Sequence, residues 1–166
     1  MIVVGVDPGK NRFASFFDHH EKLYTQVYKS EWGDDHGHNH HLVRSALEQP
    51  FFFNNKEEVV FFIEAPIVGM SRNYQTALSI AMTVGAMAAT RYKTYIVPPA
   101  KWKKEMVGNG RATKPEVADW LASVKPGYLS ACAGDQDLID AAVISLYGKK
   151  VIANAQTVAA GGLTHL

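Results

Sequence analysis

The sequence predicts an α/β fold, in which a mixed sheet of about five strands starts with three antiparallel strands and is flanked by helices. Three observations predict it. Apolar, β-branched runs separated by polar turns open the chain. Further apolar runs then alternate with segments of helical periodicity. With 166 residues, of which 47% are hydrophobic and 20% charged, the chain can form one globular domain with a core.

Five short apolar runs are the predicted strands, at residues 2–6, 12–17, 23–28, 58–64 and 94–97. The first run stops at Asp7, Pro8 and Gly9, residues that favour a tight turn. The run EVVFFIE, at residues 58–64, has the strongest strand pattern in the chain.

Helices are predicted at residues 42–47, 71–91, 101–107, from 114 to the Pro126-Gly127 pair, and at 137–150. Thr113 and Glu116 have the spacing of a capping box. We expect one domain at residues 1–152 and a disordered tail at 153–166. The second helix carries small residues spaced by four, which either pack on the sheet or form a dimer interface: Ala77, Ala81, Gly85 and Ala89.

Composition excludes several classes of protein. Cys132 is the only cysteine, which rules out an internal disulfide and a cysteine-rich zinc site and favours a cytoplasmic location. The start of the chain lacks the pattern of a signal peptide. The most apolar stretch, residues 77–90, is too short to span a bilayer, so no membrane association is expected.

Two acidic residues end two of the predicted strands. Asp7 follows the first strand and Glu64 closes the strand at 58–64. If these strands are parallel neighbours, the two carboxylates meet at one edge of the sheet, and such like charges need a cation. The alternative for Asp7 is a turn residue in Asp-Pro-Gly.

Three aspartates stand at the head of the last predicted helix. Asp137 and Asp140 are three residues apart and share a helix face, which continues with the apolar Ile144 and so points inward. Capping of the helix N-terminus is the alternative; it accounts for Asp135 or Asp137 better than for Asp140. An acidic cluster without cysteine favours Mg²⁺ or Mn²⁺, and two such ions suit phosphodiester hydrolysis.

The net charge is only +1, but basic residues concentrate between positions 91 and 114. Against Glu105 alone stand Arg91, Lys93, Lys101, Lys103, Lys104, Arg111 and Lys114. Gly108 and Gly110, on either side of Asn109, allow a close approach of the backbone to a sugar–phosphate chain. The alternative is a solvated helix face followed by a flexible loop.

Four blocks of the sequence together resemble the RuvC family of Holliday-junction resolvases, which belongs to the RNase H-like superfamily. The blocks are IVVGVDPG, FFIEAP, KKEMVGNGRATKPEV and DLIDAAV, in the order of the family. The resemblance implies an RNase H-like sheet and metal ligands at Asp7, Glu64, Asp137 and Asp140. It also places the two functional lysines of the family at Lys103 and Lys114.

The chain departs from the family after the second acid. The family often has an aromatic residue there, whereas this chain has APIVGM at residues 65–70. This difference puts a stacking wedge and a strict sequence preference in doubt. We interpret the chain as a phage-type member of the family, located in the host cytoplasm, that acts on several kinds of branched DNA.

The sequence therefore predicts a metal-dependent endonuclease that makes paired symmetric cuts in four-way or other branched DNA as a homodimer, with two Mg²⁺ or Mn²⁺ ions per site and no other cofactor. The catalytic residues are predicted to be Asp7, Glu64, Asp137, Asp140 and Lys114. DNA is predicted to contact Lys101, Lys103, Lys104, Gly108, Asn109, Gly110, Arg111 and Lys114.

Several alternatives stay open. The same residues suit an RNase H-type nuclease on RNA–DNA hybrids, or a non-cleaving module that binds branched DNA. An actin-like phosphotransferase needs two such domains, and the chain is too short for them. The histidines in the 36–41 run favour a solvated loop over a metal site. Trp102 either packs in the core or stacks on a base.

Overall fold

A computed structural model describes residues 1–9, 12–29, 44–49, 57–66 and 74–161 of the chain. The strands are β1 (Ile2–Gly9), β2 (Arg12–His19), β3 (Lys22–Lys29), β4 (Val59–Glu64) and β5 (Lys93–Val97). The labelled helices are α1 (Tyr74–Ala88), α2 (Pro99–Val107), α3 (Lys114–Val124), α4 (Pro126–Ala131) and α5 (Gln136–Gly161). Residues 44–48 are also helical.

The five strands form one mixed sheet in the order β3-β2-β1-β4-β5. The strands β1, β2 and β3 pair antiparallel, as a meander. The strand β4 pairs parallel with β1 on one side and with β5 on the other. The predicted fold class, a mixed sheet with an antiparallel start and flanking helices, is therefore confirmed.

The two faces of the sheet bury different helices, because successive side chains of a strand point to opposite faces. Val4 and Val6 lie in a cluster with Val84 and Met87 of α1. Val3 lies in the other cluster, with the buried residues of α2 to α5. The sheet is thus the middle of three layers, and odd-numbered residues of β1 face α5.

Glycine lets α5 pack directly on the backbone of β1. A Cβ atom built on Gly5 is 2.0 Å from the carbonyl oxygen of Ala141 and 2.4 Å from the backbone nitrogen of Ser145. The Ser145 hydroxyl donates a hydrogen bond of 3.0 Å to the carbonyl of Val3. This contact between strand and helix fixes where the N-terminal end of α5 lies relative to the end of β1.

Of three helix predictions, one needs correction, one needs an addition and one is confirmed in part. The last helix continues to Gly161 rather than ending at residue 150, so part of the predicted disordered tail is helical. The division of the chain at residue 152 itself stays a prediction. The Pro126-Gly127 pair ends one helix as expected but also starts the short helix α4, because proline fits the first turn of a helix. The predicted helix at 42–47 matches the helical residues 44–48, and its start lies outside the described residues.

The second half of the stripe of small residues does not pack on the sheet. Gly85 and Ala89 are exposed, whereas Ala77 and Ala81 are half-buried. Among the described residues, a Cβ atom on Gly85 meets nothing within 4 Å. The buried side of α1 carries Val84 and Met87 instead. Within the described ranges, no helix is both long and apolar enough to cross a membrane.

Candidate metal centre

Asp7 and Glu64 lie side by side where the neighbouring parallel strands β1 and β4 approach their carboxyl ends. The parallel pairing of β1 and β4 runs as far as Val6 opposite Ile63, and each acid is the next residue of its strand. Asp7 shares the face of Val3 and Gly5, and Glu64 the face of Phe62 in the same cluster. Both carboxylates therefore lie on the side of the sheet that α5 covers.

The helix α5 brings two more acids to the same edge. Asp137 and Asp140 are half-buried in its first turns, and the charges of both raise the pKa of Asp7. Asp135 has a different role, since its Oδ1 accepts hydrogen bonds from the backbone N–H groups of Asp137 at 2.9 Å and Leu138 at 3.2 Å. Asp135 therefore caps the helix, which leaves Asp137 and Asp140 as the acids that face the site.

Arg12 is a site residue that the sequence analysis missed. Its Nη2 lies 2.7 Å from Oδ2 of Asp137 and 3.6 Å from Oδ2 of Asp135. Its Nε is buried, with no hydrogen-bond partner in the described part of the chain. The signal was present in the alternation of β2, which puts Arg12 on the same buried face as Ala14 and Phe16.

Two further side chains hold the acids in place. The indole Nε1 of Trp102 donates a 2.7 Å hydrogen bond to Oε2 of Glu64. Gln136 donates a 2.9 Å hydrogen bond from Nε2 to Oδ1 of Asp140. Trp102 is fully buried, so of the two alternatives core packing is the one observed, and its indole also orients Glu64.

Burial and mutual repulsion raise the pKa of three of the acids. Burial is the largest cause of the high pKa of Asp7, and the charges of Glu64 and Asp140 raise it further. Burial raises the pKa of Glu64 to about 7, although the hydrogen bond from Trp102 opposes this. Burial also raises the pKa of Asp140, against the hydrogen bond from Gln136. A cation at this edge would relieve the repulsion.

The donor set fits a hard divalent cation. It consists of carboxylate oxygens, which suit Mg²⁺ or Mn²⁺. No three of the four acids bring their oxygens within 4.8 Å of one another. Arg12, Trp102 and Gln136 each contact one acid, so an ion shared by three carboxylates requires side-chain rotation and competes with these contacts.

Part of the predicted basic segment lies beside the acids, whereas Lys93, opposite Val60, lies at the other end of β4. The charges of Lys103 and Lys114 lower the pKa of Asp140, and that of Lys114 also lowers the pKa of Asp7. Lys103 on α2 donates a hydrogen bond of 3.2 Å to the carbonyl of Ala112, which ties the helix to the following loop. The other predicted basic residues of the segment are exposed: Lys101, Lys104 and Arg111.

The loop between α2 and α3 has a defined conformation. Gly108 has φ of 91° and ends α2 in the left-handed region, which favours glycine. Gly110 passes close to α2, because a Cβ atom there is 2.9 Å from the carbonyl of Ala100. Oδ1 of Asn109 accepts a 3.0 Å hydrogen bond from the backbone N–H of Arg111. The backbone conformation at Gly108 and the close approach at Gly110 therefore explain both glycines without reference to a ligand.

The start of α3 follows the predicted pattern. The carboxylate of Glu116 accepts a hydrogen bond of 2.7 Å from the backbone N–H of Thr113. Lys114 is the first residue of the helix and is exposed. The histidines of residues 36–41 and the residues from 67 to 70 of the APIVGM segment lie outside the described residues.

The sheet order and the position of α5 define an RNase H-like α/β fold. Solved structures share it at low sequence identity. RuvC of Thermus thermophilus matches with a TM-score of 0.65 and 18% identity over 88% of this chain and 91% of that chain. The same protein in complex with a Holliday junction substrate matches with a TM-score of 0.67 and 18% identity, over 88% and 90%.

The yeast mitochondrial Holliday junction resolvase matches with a TM-score of 0.55 and 13% identity, over 86% of this chain and 75% of that chain. No protein-family model and no curated protein matches the sequence. The chain therefore has the fold of RuvC-like resolvases, as the sequence resemblance predicted.

Proposed function

We propose that this protein is a divalent-metal-dependent endonuclease that cleaves Holliday junctions or other branched DNA by paired symmetric cuts. One observation carries the proposal: two strand ends and one helix bring Asp7, Glu64, Asp137 and Asp140 together at one edge of the sheet. The likeness of the fold to that of RuvC, which was solved with a Holliday junction substrate, supports the choice of DNA.

The four acids are the proposed ligands of Mg²⁺ or Mn²⁺, with two ions per site. Such ions supply the activation of water and the neutralisation of phosphate charge. Glu64 contributes a carboxyl group whose pKa is about 7, so a cation beside it would favour the charged form. Trp102 keeps that carboxylate oriented through its hydrogen bond. Lys114 supplies positive charge beside Asp7 and Asp140, where charge develops on the phosphate during cleavage.

The exposed basic residues beside the acids are the proposed DNA contacts. Lysine and arginine bind phosphates without reading the sequence, which suits recognition of a branched shape. The contact surface comprises Lys101, Lys103, Lys104, Gly108, Asn109, Gly110, Arg111 and Lys114. Of these, Lys103 and Lys114 are the residues whose charges lower the pKa of the acids. They are proposed to hold the phosphate at the cut.

A four-way junction has two-fold symmetry, so a nuclease that makes paired cuts is expected to act as a homodimer with the same symmetry. The exposed half of the stripe, at Gly85 and Ala89, is the proposed interface, because Gly85 leaves open space where a second backbone can approach closely. Leu78, on the same helix, is 44% exposed and adds apolar area. The single cysteine suits the reducing cytoplasm in which we place the protein, that of the host for a phage-type member.

Cleavage of labelled DNA tests the proposal. A four-way junction, a linear duplex and an RNA–DNA hybrid are compared in one buffer with and without Mg²⁺. We expect cutting of the junction only with the ion, and loss of cutting in Asp7→Asn with junction binding retained. Asp119→Asn, which removes an exposed carboxylate from α3, is the matched control and should cut normally.

Each alternative outcome has a clear meaning. Undiminished cutting by Asp7→Asn would refute the assignment of the site. Preferred cutting of the hybrid would identify an RNase H-type enzyme, and junction binding without cutting at any Mg²⁺ concentration would identify a binding module.

A further inference from the structure

A second group of metal-binding side chains lies at the turn between β2 and β3, outside the acidic centre. Nε2 of His19 is 2.8 Å from Oε1 of Glu57, and Nε2 of His20 is 3.6 Å from the same oxygen. One ligand atom from each residue lies within 4.8 Å of the other two. Among the described residues, no other three histidine, cysteine, aspartate or glutamate side chains meet this condition.

The backbone of the turn brings the two neighbouring imidazoles to one place. Successive side chains of a strand point to opposite faces, so adjacent histidines do not normally reach the same group. Here β2 ends at His19, and the turn residues His20 and Glu21 have φ of 48° and 65°. The two histidine rings consequently lie with centroids 3.9 Å apart.

The residues of this turn are not those that its geometry selects. Two-residue hairpin turns with positive φ at both positions favour Asn-Gly or Asp-Gly. A histidine and a glutamate with positive φ are uncommon, and such a conformation is a reason to look for a role of the side chains. Both histidines approach the same oxygen of Glu57, which indicates that the three side chains bind a common ligand.

The chemistry of the three ligands differs from that of the acidic centre. Two imidazoles and one carboxylate suit Zn²⁺ and similar transition metals, whereas oxygen-only sites suit Mg²⁺. The side chains are also accessible to an ion from solvent, since that of His20 is 78% exposed. His19 and Glu57 are more buried and already hydrogen-bonded to each other, so two of the ligands are preorganised.

We propose that His19, His20 and Glu57 bind one zinc-class transition-metal ion, which ties the β2–β3 turn to the segment before β4. Water completes the coordination, as three protein ligands leave a position open. The site lies at the opposite end of the sheet from the acidic centre. Residue 57 precedes β4 and Glu64 ends it, and seven residues of extended chain span roughly 20 Å. The proposal is therefore independent of the proposed nuclease activity.

Zinc titration of the full-length chain by calorimetry tests the proposal. Excess Mg²⁺ is present to occupy oxygen-only sites, and a background variant carries asparagine at the other clustered histidines, namely His36, His38, His40 and His41. We expect one Zn²⁺ per chain in this background. His20→Ala and Glu57→Gln should each weaken binding on the order of tenfold or more, because each removes a ligand.

Two controls make the outcome decisive. Glu58→Gln removes the neighbouring exposed carboxylate and should bind Zn²⁺ like the background variant. Cobalt absorption gives a second readout, since Co²⁺ bound by imidazoles in a four-coordinate site absorbs more strongly than in an oxygen-only site. Because the side chain of His20 is exposed, its removal in His20→Ala leaves no cavity in the core. The proposal fails if His20→Ala and Glu57→Gln bind Zn²⁺ as tightly as the background, or if the background variant does not bind it.

Discussion

Replacement of Glu64 by glutamine should stabilise the protein in EDTA at alkaline pH while it weakens the metal centre. The carboxyl is buried beside other acids, and its pKa is raised from 4.5 to about 7. A raised pKa means that the folded protein binds the proton more tightly than the unfolded chain. The resulting stability is complete below pH 4.5 and is lost as pH rises through 7.

The size of the effect follows from the two pKa values. The difference is worth about 3 kcal/mol, since each pH unit corresponds to about 1.4 kcal/mol. Glutamine carries no charge at any pH and keeps an oxygen that accepts the hydrogen bond from Trp102. The variant should therefore be more stable than the wild type by about 3 kcal/mol at pH 8, and similar to it at pH 4.5.

Urea denaturation of both proteins in EDTA, at several pH values from 4.5 to 8, measures the difference. Glu58→Gln is the control, because Glu58 is exposed and lies just before the same strand. A stability difference between Glu64→Gln and wild type that does not grow with pH would refute the reasoning. When the same proteins are assayed with Mg²⁺ and without EDTA, Glu64→Gln should have lost the cleavage of a four-way junction.

Three further predictions follow from contacts of the described residues. Arg12→Gln should lower the Mg²⁺ concentration for half-maximal cleavage about two- to fivefold, because the arginine pairs with Asp137 at 2.7 Å and such partly exposed pairs are worth up to about 1 kcal/mol. Gly5→Ala should cost at least about 2 kcal/mol in urea denaturation, because the new methyl group meets the backbone of α5. Gly85→Leu should shift the protein from dimer to monomer in analytical ultracentrifugation without loss of stability, because the position is exposed and a Cβ atom there meets nothing within 4 Å among the described residues.

Each of these has its own control. An unchanged Mg²⁺ dependence in Arg12→Gln would show that the arginine does not compete with the ion for Asp137. Gly127→Ala is the matched control for Gly5→Ala and should stabilise the protein by up to about 1 kcal/mol, since Gly127 is exposed in the helix α4 and a Cβ atom there meets none of the described residues within 4 Å. A Gly85→Leu protein that stays dimeric would place the interface elsewhere.

The sequence predicted the strands well because their apolar runs are short and bounded by turn residues. The end of β4 at Glu64 was visible in the sequence. The predicted tight turn at Asp7, Pro8 and Gly9 was wrong, because β1 continues through these residues and pairs with β2 as far as Gly9 opposite Arg12. The end of the last helix was not visible, because the residues from Ala153 onward are mostly small and polar and carry no periodic apolar pattern, although they continue the helix to Gly161.

The candidate site was predictable in its acids but not in the groups that hold them. Periodicity assigns a residue to a face of its own element, and it does not name the partner across the layer. Arg12 and Trp102 each contact an acid from a distant part of the sequence, and only the packing of β2 and α2 reveals those contacts. Arg12 was the one signal of such a contact in the sequence, because a basic residue on a buried face needs an acidic partner.

The glycine in β1 has a consequence for how the protein can diverge. At Gly5 the backbones of β1 and α5 touch without a side chain between them, so the spacing of the acids on the two elements depends on main-chain thickness rather than on core side chains. Substitutions elsewhere in the core can then accumulate without moving Asp7 relative to Asp140. A chain of this fold can thus change most of its residues, and its loops, while the geometry of its carboxylates is preserved.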